Sequence, residues 1–251
     1  MADAPVYARA AMQAWVGTSG YSYKEWKGKF YPEDLPAKEM LPFYAARLGT
    51  VEINNTFYRM PSEKMIADWA AEVPEGFTFA LKAPQRITHQ KRLKDVSDVV
   101  LAFVRIAAGL GDKMGPLLFQ LPPFMKKDVP RVEDFLATLP SGLRVALEFR
   151  HTSWFDDQVY ETLRTHRAAL CTAEGEGLAS PLVATTDWGY LRLRLGVYTD
   201  EAIAAWAEKL CALSWKEAFV YFKHDEGGAP GFAAKLVAQL PRVPSPKEPQ
   251  P

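Results

Sequence analysis

The sequence predicts one α/β domain, a single closed (β/α)8 barrel with parallel strands. Three observations predict it. Eight short apolar runs alternate with amphipathic stretches along the chain, a succession that implies parallel strands joined by right-handed crossovers. Polar residues recur at every second position where those runs end, the period of a strand with one face turned to a lumen. The 251 residues are close to the length that one such barrel uses.

The predicted strands are Trp15–Gly20, Thr50–Asn54, Phe77–Lys82, Gly115–Leu121, Arg144–Arg150, Ala168–Ala173, Tyr190–Leu195 and Glu217–His224. Among the crossovers, Glu39–Leu48 carries apolar residues at helical spacing and Gly49 stops it. Pro61 and Ser62 open a second helix, Val96–Leu110 forms a third, and Thr199–Leu213 starts near Asp200. The sixth crossover, Glu174–Trp188, has glycines that argue against a regular helix. A doubly wound open sheet is the competing architecture, but no GxGxxG phosphate fingerprint follows the first strand.

Residues 1–13 have no clear period and are expected to be a flexible leader. Residues 14–240 form the barrel domain, and the proline-rich end PRVPSPKEPQP, residues 241–251, is expected to be disordered. Hydrophobic residues make up 48% and charged residues 24%, a globular balance that supports a sizeable core. Thirty basic residues offset thirty acidic ones, so any attraction for polyanions must come from local clustering. Cys171 and Cys211 lie too far apart for a CxxC motif and are expected to be reduced thiols. The sequence shows neither a signal-peptide pattern nor a spanning apolar run, so the cytoplasm is the expected location and no membrane partner is expected.

The strand-end polar residues define the candidate site. Glu52 and Asn54 alternate with Val51 and Ile53, Lys82 follows Leu81, and Gln120 lies between Phe119 and Leu121. Glu148 and Arg150 alternate with Leu147 and Phe149, Arg192 and Arg194 with Leu191 and Leu193, and Tyr221 and Lys223 with Val220 and Phe222. Facing inward, they place five cations against two carboxylates. Buried charge is costly unless paired, so an anion is expected to take up the surplus. The alternative is a static network in which Glu52 and Glu148 each bridge several arginines.

Aromatic residues crowd the same end. The first strand runs into Tyr21, Tyr23, Trp26, Phe30 and Tyr31, the second into Phe57 and Tyr58, the fifth into Trp154. Rings among polar loops suit stacking on a sugar or nucleobase. Tyr21, Tyr58 and Trp154 are the expected stacking residues, whereas Trp26 and Phe30 suit a plug of the barrel mouth. His89, His151 and His224 follow strands, but they form neither an HExxH pair nor a cluster with metal-ligand spacing. No metal or cofactor is expected, and Ser19 lacks the GxSxG context of a nucleophile elbow.

Several longer motifs occur in order: GTSGYSYKEWKGKFYP (Gly17–Pro32), VEINNTFYRMP (Val51–Pro61), ITH (Ile87–His89), GPLLFQLPP (Gly115–Pro123) and EFRHTSW (Glu148–Trp154). Together they resemble the YecE-like family, a catalogued domain of unknown function, from about Trp15 to Leu240. The resemblance implies a TIM-type barrel, likened to the endonuclease-four and sugar-isomerase barrels, and implies no reaction. Two places depart from the family's commoner pattern. Strand 7 reads RLRLG, with Arg194 where a histidine often falls, and strand 8 reads YFKHDE, with Lys223 and His224 where asparagines often fall.

The expected function is the binding or conversion of a phosphorylated or nucleotide-like small molecule. Arg150, Arg192, Arg194 and Lys223 are the expected anion clamp, because the guanidinium fork meets phosphate bidentately. Glu148 or Glu52 is the candidate base, with Lys82 or His151 as its partner; Tyr21, Asn54, Tyr58, Gln120, Trp154 and Tyr221 are candidate ligand contacts. Nucleic-acid binding with cleavage is the alternative. Glycoside hydrolysis by Glu52 and Glu148, or plain anion binding without catalysis, are further ones.

Overall fold

A computed structural model of the chain describes residues 12–175, 177–223 and 228–241. Almost all of the expected leader, His224, and the expected tail beyond its first residue lie outside the described residues. Eight parallel strands close into one barrel in sequence order, with β8 pairing back to β1 over seven residues from Gln13 against Glu217 to Ser19 against Lys223. In chain order the elements are β1 (Gln13–Ser19), α1 (Met40–Ala45), β2 (Thr50–Ile53), α2 (Asn55–Tyr58), α3 (Glu63–Ala71) and β3 (Thr78–Lys82). Then follow α4 (Ser97–Ala107), β4 (Met114–Gln120), α5 (Val129–Ala137), β5 (Val145–Glu148), α6 (Asp157–Thr165) and β6 (Ala169–Glu174). The chain continues with β7 (Trp188–Leu193), α7 (Asp200–Ala212), β8 (Glu217–Lys223) and α8 (Ala229–Gln239).

Local chemistry sets the ends of these elements. Ser62 caps α3 by accepting from the Met65 amide at 3.1 Å, and Thr199, rather than Asp200, caps α7 through the Ala202 amide. The predicted Val96–Leu110 helix is regular only to Ala107; a tighter 3₁₀ turn over Ala108–Lys113 carries it to β4, with Gly111 in a left-handed conformation. Between β6 and β7 no helix occurs among the described residues, in keeping with the glycines there. Strand 7 starts two residues earlier than predicted, a shift that leaves the facing of every side chain unchanged.

The alternation of facing creates two apolar layers. Val51, Ile53, Phe79, Leu81, Leu147, Leu191, Leu193 and Val220 point outward and pack under the helices. Ala80, Leu118, Ala146, Ala169, Cys171, Tyr190, Phe219 and Tyr221 fill the lumen. Alanine at four lumen positions (Ala80, Ala146, Ala169 and Ala173) leaves room for long polar side chains in the layer above. At Gly17 an added Cβ would stand 2.0 Å from the Thr50 carbonyl oxygen, so only glycine lets β1 approach β2 there.

Candidate functional site

The floor of the barrel mouth is a charge network joining strands from opposite sides. The Glu52 carboxylate accepts from Ser19 Oγ at 2.6 Å, the Tyr190 hydroxyl at 2.7 Å and the Asn54 amide at 3.2 Å. Arg192 donates to Glu52 through Nε at 3.2 Å and Nη2 at 2.8 Å, and reaches Glu148 Oε2 through Nη1 at 2.7 Å. Glu148 also accepts from Gln120 Nε2 at 2.8 Å and from Arg194 Nη2, with Arg150 Nη1 3.9 Å away. Both carboxylates are fully buried, and Arg192 and Arg194 nearly so.

Partners rather than burial decide the charge state of these acids. Burial alone would raise the Glu148 carboxyl, yet Arg192 and Arg194, with the Gln120 hydrogen bond, hold it down at about 2. Burial likewise opposes ionisation of Glu52, and Arg192, Ser19 and Tyr190 overcome it. Lys82 behaves in the opposite way. Burial, reinforced by the positive charge of Arg192, lowers its ammonium to about 8, although Glu148 and Glu52 pull the other way. His89 is lowered too, first by burial and then by Lys82 and Arg150, so its imidazole is neutral near pH 7.

Above this floor a cleft of about 300 Å³ opens at the C-terminal ends of the strands. Lys82, Arg150, Arg192, Arg194 and Lys223 line it, with Ser19, Asn54, Gln120, Tyr23 and Tyr58 between them. Among the described residues no carboxylate lines it. Gly20, at φ +90°, sets the course of the loop after β1, and a Cβ there would meet the Tyr23 hydroxyl at 2.4 Å. That close passage lets Tyr23 donate to the Ser19 carbonyl at 2.6 Å and form part of the wall. A larger cleft of about 830 Å³ opens at the opposite end of the barrel, where Arg144 and Asp187 turn to Glu217 and Lys216 on the surface. In barrels of this type the chemistry sits at the strand C-termini, so the smaller cleft is the candidate.

Ten of the fourteen residues expected at the site converge on this mouth: Glu52 and Glu148 beneath it, and Asn54, Tyr58, Lys82, Gln120, Arg150, Arg192, Arg194 and Lys223 on its wall. Arg192 lines the cleft and at the same time bridges the two carboxylates, which engage its Nε, Nη1 and Nη2. The static network weighed against anion binding is thus present, and the cleft lies on top of it. Glu52 and Glu148 do not line the cleft, and their cationic and hydrogen-bonding partners favour their carboxylate forms.

Four candidates lie elsewhere. Trp154 is 0% exposed, stacks on Phe149 at 4.5 Å and donates its indole N–H to the Met125 carbonyl at 2.7 Å, so it is core and no stacking platform. His151 turns its Nδ1 onto Ser153, 3.1 Å from the amide and 2.9 Å from the hydroxyl, and so closes the turn after β5. Tyr221 lies one layer deeper than the cleft and shares a hydrogen bond with Thr50 Oγ1 at 2.9 Å. Tyr21 lines neighbouring clefts beside the β1 loop, outside the cationic one. Trp26 and Phe30 pack with Tyr31 and with Phe43 of α1, in the apolar layer outside the strands. The expectations missed Ser19 and Tyr190 as ligands of Glu52 and Tyr23 as a wall residue. Ser19 and Tyr190 share the inward parity and were legible by the same alternation. His89 packs its ring edge-on to Phe57 at 4.9 Å and its Nδ1 lies 2.9 Å from Thr88 Oγ1. Among the described residues no three His, Cys, Asp or Glu side chains stand grouped for a metal ion.

Residues 15–251 match the family described as "Protein of unknown function DUF72". The UPF0759 protein YecE of Escherichia coli K12 is 31% identical over 113 residues, a stretch that covers 45% of this chain and only 42% of that protein. The UPF0759 protein YunF of Bacillus subtilis is 25% identical and is covered over 94% of its length by 90% of this chain. The crystal structure of a DUF72 family protein from Thermotoga maritima superposes with a TM-score of 0.79 at 28% identity, covering 90% of this chain and 98% of that one. With the motifs in register and the same closed barrel around them, the chain belongs to the DUF72 family.

Proposed function

We propose that the strand-end cleft binds a phosphorylated or nucleotide-like small molecule. The observation that carries this reading is the composition of the wall among the described residues: five cationic side chains and no carboxylate, with Glu52 and Glu148 held beneath it by Arg192 and Arg194. Arg150 and Arg194 present guanidinium donors to a phosphoryl group, Lys82 and Lys223 add point charges, and Asn54 and Gln120 offer amides to the remainder of the ligand. The volume of about 300 Å³ suits a small metabolite. Glycoside hydrolysis is not supported, since it needs a carboxyl held protonated and both acids are driven toward the charged form.

The test is titration calorimetry with nucleotides and sugar phosphates at low salt, with and without a chelator. Saturable binding that weakens with salt and ignores the chelator is the expected result. No binding would leave the charge network as a purely structural layer. Nucleic acid is the second reading, favoured by the exposed rings of Tyr58 (75%), at the end of α2, and Phe124 (65%), in the loop after β4. Tighter binding of a single-stranded oligonucleotide than of any mononucleotide would select it.

A further inference from the structure

We propose that Lys82 is a nucleophilic amine that captures an aldehyde or ketone bearing a phosphate or carboxylate as a covalent imine. This rests on the anion-binding reading above and deepens it, because it names the functional group that accompanies the anion.

The geometry around Lys82 sets it apart from the other cations of the mouth. It is the last residue of β3, and its Nζ stands 4.0 Å from the centre of the Phe57 ring, against a π face instead of a carboxylate. Glu52 and Glu148, the acids whose charge acts on Lys82, are occupied by Arg192 and Arg194, and neither forms an ion pair with Lys82. The amine is therefore partly desolvated in a cleft among like charges, the setting that activates a lysine toward carbonyl groups. With its ammonium lowered to about 8, roughly one amine in ten is neutral at pH 7, against fewer than one in a thousand for an ordinary lysine.

The chemistry needs only the amine and the carbonyl. The Nζ lone pair attacks the carbonyl carbon and the C=O π pair moves to oxygen. A proton passes from nitrogen to that oxygen to give a carbinolamine. The hydroxyl then leaves as water, with a second proton, while the nitrogen lone pair forms C=N. No oxidant or reductant takes part. The same cations that disfavour a charged lysine favour a substrate whose phosphate or carboxylate neutralises them, so an anionic carbonyl compound fits better than a neutral one.

The probe is pyridoxal 5′-phosphate, used as a phosphorylated aldehyde, with borohydride reduction and peptide mass spectrometry. Pyridoxal, which lacks the phosphate, and pyridoxine 5′-phosphate, which lacks the aldehyde, are run beside it. Lys82 is expected to be labelled roughly tenfold or more above the surface lysines, and pyridoxine 5′-phosphate or inorganic phosphate to suppress the labelling. Lys82→Met and Lys82→Arg, each checked for folding by circular dichroism, are both expected to lose it. Labelling confined to surface lysines while pyridoxine 5′-phosphate still binds would overturn the imine and leave the anion reading standing. Equal labelling of Lys82 by pyridoxal, unaffected by phosphate, would keep the imine and overturn the anion reading. Neither binding nor labelling would overturn both.

Discussion

Arg192 Nη1 on β7 meets Glu148 Oε2 on β5 at 2.7 Å, inside the closed barrel and away from water. The same guanidinium holds Glu52 on the far side, so one cation serves two buried carboxylates. Removing it leaves both anions without their main partner. Arg192→Leu is expected to lower unfolding free energy by about 3–5 kcal/mol, the cost of stranding a buried charge. Urea titration checks it; a loss below about 1 kcal/mol would mean that water reaches the network.

Acid should loosen the same layer in a defined window. Glu148 titrates at about 2 in the folded chain against an ordinary 4.5. Between those values the unfolded chain carries the extra proton, so folding stability falls as pH drops through that window and is fully present above it. The loss amounts to about 3 kcal/mol from this group. Stability measured by denaturant at pH 5, 4 and 3 should decline accordingly, and the decline should be much smaller in Glu148→Gln.

Lys82 has the opposite sign. Its folded value of about 8 lies below the ordinary 10.5, so the unfolded chain holds the extra proton between them and stability rises with pH across that range. Lys82→Met should therefore be more stable than the parent at pH 7, by about 1–3 kcal/mol. The gap should close as pH approaches 10.5. A destabilised Lys82→Met at pH 7 would show that the ammonium is well accommodated.

Arg150 is the cation to remove when testing ligand binding, because it lines the cleft and stands 3.9 Å from Glu148, farther than Arg192 does. Arg150→Ala is expected to weaken phosphate-ester binding by about 1.5–3 kcal/mol, the range for a hydrogen bond to a charged group. The calorimetric isotherm reads this directly, and an unchanged Kd would remove Arg150 from the site.

Trp154 supplies a contrast. Its ring is buried against Phe149, so Trp154→Ala should cost about 3–5 kcal/mol of stability. Ligand affinity, measured below the lowered melting temperature, should be unchanged. A selective loss of affinity with little loss of stability would return Trp154 to the ligand.

The sequence by itself determined the barrel and the inward face of each strand. Strand side chains alternate with period two, so writing Glu52 beside Val51 or Arg192 beside Leu191 already assigns one to the lumen and the other to the helices. That rule held even where the start of strand 7 was misplaced, because a shift of two residues preserves parity. Parity does not fix depth or partner. Glu52 and Arg192 are 140 residues apart, and only barrel closure decides that they meet, that Tyr190 and Ser19 complete the shell, and that both acids sink below the cations. Loop residues obey no such period, which is why His151 and Trp154 followed a strand end yet turned into a cap and a core. Local pattern carries the facing of a side chain because facing is a property of one strand; the pairing of charges is a property of eight, and it exists only once the barrel has closed.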